Sequence, residues 1–203
     1  MKKLTNILLF TLLISVAMSA QKTKETVLKK LDSQTEKYGS IAMQIWDLAE
    51  MGYLEEQSSS LLQETLSKEG FTIKKSVADI PTAFVAEYGS GLPIIAILGE
   101  FDALPGLSQQ AIPEKKSANG NAGHACGHHL FGTASAAAAI SVKQWMQSTK
   151  QKGTIRFYGC PAEEGGGAKV YMAREGLFDD VDIALHWHPG SQNAASAAAA
   201  LAN

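Results

Sequence analysis

The sequence predicts an α/β fold, a sheet with parallel members and helices between its strands, and three observations carry that prediction. Apolar runs of strand length alternate with longer segments of helical spacing. One of those runs, "PIIAILGE", is apolar almost without a break. Glycine and proline separate the strands from one another. A continuous apolar strand is one buried on both faces, as in a parallel sheet covered by helices.

The elements follow in order. "KETVLKKLDSQTEKYGSIAMQIWDLAE" places Val27, Leu28, Leu31, Tyr38, Ile41, Ile45 and Leu48 at helical spacing, and "SSSLLQETLSKEG" predicts a second helix ending at Gly70. The period then changes. "FTIKKSV", "TAFVAEYG" and "PIIAILGE" read as strands divided by Pro81 and by the stretch 89–93. An alanine-rich helix is predicted over about 129–148, followed by strand "GTIRFYG", helix "AKVYMAREG" and strand "VDIALHW".

The first twenty residues stand apart from this plan. Lys2 and Lys3 precede the run "ILLFTLLISVAM" and the small residues Ser19 and Ala20, the pattern of a secretory signal peptide over residues 1–20. The run is shorter than the roughly 20 residues that span a bilayer, so no stable membrane anchor is expected. The expected location is periplasmic or extracellular, where disulfides can form. With 45% hydrophobic and 19% charged residues and a net charge of -2, the remainder suits one globular domain and lacks the basic surface that nucleic acid requires.

The chemistry-bearing residues fall at one end of that plan. Asp102 follows "PIIAILGEF", Glu163 and Glu164 follow "GTIRFYG", and His188 closes "VDIALHWH", each at the carboxyl end of a strand. In open α/β sheets ligands bind beyond those ends, so residues distant in sequence converge. "GHACGHHLFG" sits in the loop that opens the long helix and holds three of the five histidines and one of the two cysteines. Cys126 and His128 share a side if the stretch is extended, and thiolate, imidazole and carboxylate together form a transition-metal shell. Adjacent glutamates in extended chain point apart, so one can bind metal while the other handles a proton, as metal-assisted hydrolysis needs. The competing expectation is a Cys126–Cys160 disulfide, which would leave the neighbouring His and Glu residues without a role. His124 and His129 are expected to support or cap rather than to bind.

Four segments, "GEFDALPGLSQ", "NGNAGHACGHHLFGTA", "GCPAEEGGGAKVYM" and "VDIALHWHPG", resemble in order and spacing the metal-dependent amidohydrolases and carboxypeptidases that include aminoacylase-type and auxin-conjugate hydrolases. Within that family they are most similar to the aminobenzoyl-glutamate utilization protein B branch. The resemblance implies a zinc-exopeptidase-like catalytic domain, a mixed sheet flanked by helices, and a centre of two divalent ions (Zn, Mn, Co or Ni). It implies Cys126, His128, Glu164 and His188 as metal ligands, Glu163 as general base and Asp102 in support. The implied substrates are N-acyl or aminobenzoyl amino acids or small peptides, cleaved at the amide by a homodimer. His129 and Cys160 depart from the pattern, standing where relatives carry Asn or Asp and Thr or Gln. The resemblance also divides the chain: residues 21–196 match the N-terminal part of the catalytic domain, and 197–203 stand where a lid and dimerisation domain begins. Two alternatives therefore accompany the hydrolase: a catalytically incompetent metal-binding module, and a metallo-exopeptidase acting as aminopeptidase or dipeptidase.

Overall fold

A computed structural model describes residues 23–194; the predicted signal segment lies outside the described residues. Helix α1 covers 23–32, α2 Thr35–Leu48 and α3 Glu56–Lys68, followed by β1 (Thr72–Lys75), β2 (Phe84–Ser90) and β3 (Ile94–Gly99). The short strands β4 (Leu104–Pro105) and β5 (Ala122–Gly123) pair with each other. Then come α4 (His128–Thr149), β6 (Gly153–Gly159), α5 (Ala168–Arg174) and β7 (Ile183–Leu185).

The main sheet runs β1-β2-β6-β3-β7. β1 and β2 are antiparallel, as are β2 and β6, whereas β3 pairs parallel with both β6 and β7. The sheet is mixed, as the family resemblance implies, and its three parallel strands end on the same edge. Helix α4 carries the chain from β3 to β6, and α5 from β6 to β7.

Side-chain alternation divides the sheet into two cores. Phe84, Ala86, Ile97, Ile155 and Phe157 face one side and pack with Ile45, Leu66, Ala136 and Ile140 from α2, α3 and α4. Val85, Ala96, Leu98 and Tyr158 face the other and meet Ala168 and Met172 of α5. β3 is thus covered on both sides along residues 96–98, which accounts for its unbroken apolar run.

Three elements differ from expectation. The first predicted helix breaks at residues 33–34, where Ser33 and Thr35 turn their hydroxyls back onto the carbonyls of Lys30 and Asp32. The third helix begins at Glu56, earlier than the predicted serine run, because Glu50 caps it from outside: its carboxylate accepts the N–H groups of Gln57 at 3.0 Å and Ser58 at 2.8 Å. The last strand shrinks to Ile183–Leu185, since the chain leaves the sheet at His186 to bring Trp187 Nε1 to Ser135 Oγ at 3.0 Å.

Two buried features position the site. At Gly132, α4 approaches the end of β3 so closely that a Cβ would lie 2.5 Å from the Glu100 carbonyl oxygen. Glu55, fully buried, accepts the Ala162 N–H at 2.7 Å and the Thr82 hydroxyl at 3.1 Å. It thereby ties the start of α3 to the loop after β6. Burial is the main cause that lifts the Glu55 carboxyl from 4.5 to about 7; the hydrogen bonds from Ala162 and Thr82 oppose the rise and the Asp102 charge adds to it.

Gly132→Ala sets helix propensity against sterics. Alanine adds about 1 kcal/mol of helix preference, but the contact is with backbone that has no room to yield, and overpacking costs roughly 1–3 kcal/mol. The expected outcome, read by thermal unfolding, is a lower melting temperature. For Glu55 the folded-state value lies above the unfolded one, so the folded chain holds the extra proton. Its contribution is full below about 4.5 and is lost as pH rises toward about 7. Glu55→Gln, which keeps an acceptor for Ala162, is expected to flatten the loss of stability of the metal-free protein between about pH 5 and about pH 8.

Candidate metal centre

The site forms where β3, β6 and β7 end. Beyond β3 the chain reaches Asp102, whose carboxylate is buried and serves two partners. Oδ1 accepts from His128 Nδ1 at 2.8 Å, and Oδ2 accepts the backbone N–H of Glu164 at 2.8 Å. Burial would raise the Asp102 carboxyl, but these two hydrogen bonds and the His128 charge outweigh it and hold the group below the usual carboxylate range. With its Nδ1–H donating to Asp102, His128 presents Nε2 to the site.

The loop before α4 brings Cys126 to the same place. The predicted route was an extended Cys-x-His segment; instead His128 is the first residue of α4 and Gly127 turns the chain with φ +81°. A side chain at Gly127 would meet the Pro189 ring at 3.1 Å, so this left-handed turn requires glycine twice over. From the β7 end, His188 donates through Nδ1 to the Pro189 carbonyl at 2.8 Å. This fixes its tautomer and turns Nε2 to the Cys126 sulfur at 3.3 Å.

The ligand atoms of Cys126, His128 and His188 lie within 4.8 Å of one another, and so do those of Glu100, His128 and Glu163. Metal–nitrogen distances of about 2.0–2.1 Å and metal–sulfur distances of about 2.3 Å place two ligands of one ion somewhat over 3 Å apart. The 3.3 Å Cys126–His188 spacing fits that requirement. The thiol itself is pushed up to about 12, first by burial and then by its hydrogen bond to Glu164 and the charges of Glu164, Glu163 and Glu100. So strongly negative a surrounding suits a thiolate only when a cation is present.

Glu163 and Glu164 sit in a turn rather than in extended chain. Gly166 and Gly167 both donate to the Ala162 carbonyl, at 3.0 and 2.6 Å. The two side chains nonetheless diverge as expected, Glu164 toward Cys126 and Glu163 toward Glu100 and His128. Glu164 belongs to neither three-residue group, whereas Glu163 joins one of them. All six sequence-predicted residues, Asp102, Cys126, His128, Glu163, Glu164 and His188, therefore meet in one place.

Both cysteines are free, and Cys160 is buried with its thiol donating to the Tyr158 carbonyl at 3.4 Å. His124 anchors to the Ile45 carbonyl at 3.0 Å, and His129 packs edge-on against Trp46, where burial lowers it to about 4. Both are supporting residues, as expected. Sequence reasoning missed Glu100, a carboxylate 2% exposed that receives Lys169 and His186 at Oε1. Its signal was present: Glu100 lies two positions before Asp102 at the end of an apolar strand, where an acidic residue needs a partner.

The family model for peptidase family M20/M25/M40 matches residues 96–200, which include all six of these residues. A p-aminobenzoyl-glutamate hydrolase subunit of Escherichia coli (strain K12) is 52% identical over 161 residues, covering 78% of this chain and 34% of its own. The Xaa-Arg dipeptidase of Mus musculus is 29% identical over 193 residues, 89% of this chain and 41% of its own. This chain thus spans well under half the length of these relatives. The crystal structure of a Bacillus subtilis protein described as a dinuclear metal binding peptidase from the M20 family superposes with a TM-score of 0.64 at 26% identity, covering 76% of this chain and 43% of that one. With its mixed sheet, its donor set and its 52% identical relative, the chain belongs to peptidase family M20/M25/M40.

Proposed function

We propose that this chain is the metal-holding part of a hydrolase that cleaves the amide of an N-acyl or aminobenzoyl amino acid. The observation that carries the reading is the meeting of Cys126, His128 and His188 with two divergent glutamates at the ends of three parallel strands. The p-aminobenzoyl-glutamate hydrolase relative supports the substrate class. The dipeptidase relative keeps small peptides as a second one.

Cys126, His128, Glu164 and His188 hold the metal in this reading, two divalent ions being the expected load. A bound divalent ion supplies Lewis acidity, which brings water toward ionisation near neutral pH. Glu163 accepts the proton of the attacking water and returns it to the leaving amine nitrogen, so that water and amide become carboxylate and amine. Asp102 orients His128 and fixes the backbone of Glu164 at once, so its work is positional. The signal-peptide pattern over residues 2–20 supports export, which intact-mass measurement from the native host checks: a mature chain lacking residues 1 to about 20 is the expected result. Assembly as a homodimer is part of the same reading, and the mass of the species in solution tests it.

At neutral pH Cys126 is a thiol in the metal-free protein, so metal uptake is expected to release about one proton from it. Calorimetry in buffers of different ionisation enthalpy measures that release, and Cys126→Ser is expected to remove it along with much of the affinity. Acidification weakens binding for the same reason. The glutamate pair separates ligation from proton transfer. Glu164→Ala is expected to lose metal and activity together. Glu163→Gln is expected to keep metal and substrate binding while turnover of an aminobenzoyl or acyl amino acid falls about a hundredfold to ten-thousandfold. Loss of metal from Glu163→Gln with retention in Glu164→Ala reverses the assignment, and full activity in both defeats the hydrolytic reading.

A further inference from the structure

Glu100 is the buried acid whose role the hydrolytic scheme leaves open. Its two oxygens have different surroundings. Oε1 is engaged by the Lys169 ammonium and lies 3.3 Å from His186 Nε2. Oε2 is buried, lies 3.1 Å from His128 Nε2, and has no hydrogen-bond partner; His128 Nε2 has none either. Leaving a buried carboxylate oxygen and a buried imidazole nitrogen both unsatisfied costs stability at each group, more when it is charged. A structural ion pair with Lys169 explains Oε1 and leaves that cost at Oε2 unexplained.

His128 narrows the explanation. Its Nδ1–H donates to Asp102, so in the neutral imidazole Nε2 offers a lone pair, and Oε2 stands 3.1 Å from it without forming a hydrogen bond. When the imidazole is neutral, two electron-pair donors this close, both shut away from water, repel unless a proton or a metal ion lies beside both. The spacing matches two nitrogen or oxygen ligands of one ion, which at metal–ligand distances of about 2.0–2.2 Å stand about 3 Å apart. Glu163 closes the group, with all three ligand atoms within 4.8 Å.

We propose that Glu100 is a metal-facing carboxylate that shares an ion with His128 through Oε2, while Lys169 holds Oε1 and neutralises part of its charge. The inference rests on the metal-centre reading above and adds to it an acidic donor from the end of β3. It also gives Lys169 a defined place: the lysine competes with the ion for the same carboxylate and balances one of the negative charges crowded there.

Zn²⁺ binding to the metal-free full chain, measured by competition with a chromophoric chelator and by stoichiometry after gel filtration, separates the readings. Glu100→Gln keeps an acceptor for Lys169 but loses the charge, and is expected to bind Zn²⁺ at least about tenfold more weakly. Lys169→Ala removes the competitor and is expected to bind as tightly as the unaltered protein or more so. If Lys169 and Glu100 are only a structural pair, the two variants lose affinity together or neither does, and either result overturns the inference. Glu164→Ala is the control for the underlying reading. Should it lose metal while Glu100→Gln does not, Glu100 alone has been misassigned; should it bind normally, the metal centre itself is wrong. Thermal unfolding of the metal-free variants reports whether each folds, and if Glu100→Gln does not, weakened binding by Lys169→Ala decides against the proposal.

Discussion

The site depends on one buried carboxylate with two separate obligations. Asp102 Oδ1 holds His128 at the start of α4, and Oδ2 holds the backbone of Glu164 in the loop after β6. Helix and loop reach the crevice from different parts of the chain, and each arrives with a polar group that has to be satisfied away from water. A single carboxylate between them fixes the tautomer of the imidazole and the path of the glutamate turn together. Neither arrangement survives without the other, because removing the acid strands a buried N–H on each side.

Around this hub the negative charge is dense. Glu100, Glu163 and Glu164 all bear on the Cys126 thiol, and Lys169 is the cation that reaches Glu100. A cluster of this kind is unfavourable as a purely structural device, since desolvated like charges repel more strongly than any of them gains from packing. It becomes favourable when multivalent positive charge is bound among them. The supporting residues hold this arrangement in place from behind: Glu55 fixes the Ala162 backbone, Tyr53 donates to the Gly166 carbonyl at 2.8 Å, and His124 and His129 fill the space toward α2.

Much of this was legible in the sequence for identifiable reasons. The parallel members of the sheet follow from the alternation of strands with helices and from the continuous apolar run of β3, whereas its mixed character was implied by the family resemblance. The convergence of Asp102, Glu163, Glu164 and His188 follows from their shared position after strands that turn out to be parallel. Turn geometry was less legible. The extended path assumed between Cys126 and His128 is replaced by a left-handed Gly127, and the glutamates diverge from a turn rather than from a strand. Glu55 escaped because nothing local distinguishes a buried acid from a solvated one, and Glu100, whose place at the end of an apolar strand was a signal, escaped because its partners lie far along the chain. Ala162, the partner of Glu55, and Lys169, a partner of Glu100, lie 107 and 69 residues further along. The early start of α3 escaped for a related reason, its cap being supplied by Glu50 from outside the helix.

The 107-residue span of the Glu55–Ala162 hydrogen bond also bears on how the molecule is made. A ribosome delivers Glu55 long before Ala162, and the carboxylate has to remain in water until the last parallel strands exist to receive it. Contacts of such sequence separation carry a large loop-closure cost and form late relative to local helices and hairpins. The edge of the sheet that carries the site is therefore held by contacts of this costly kind.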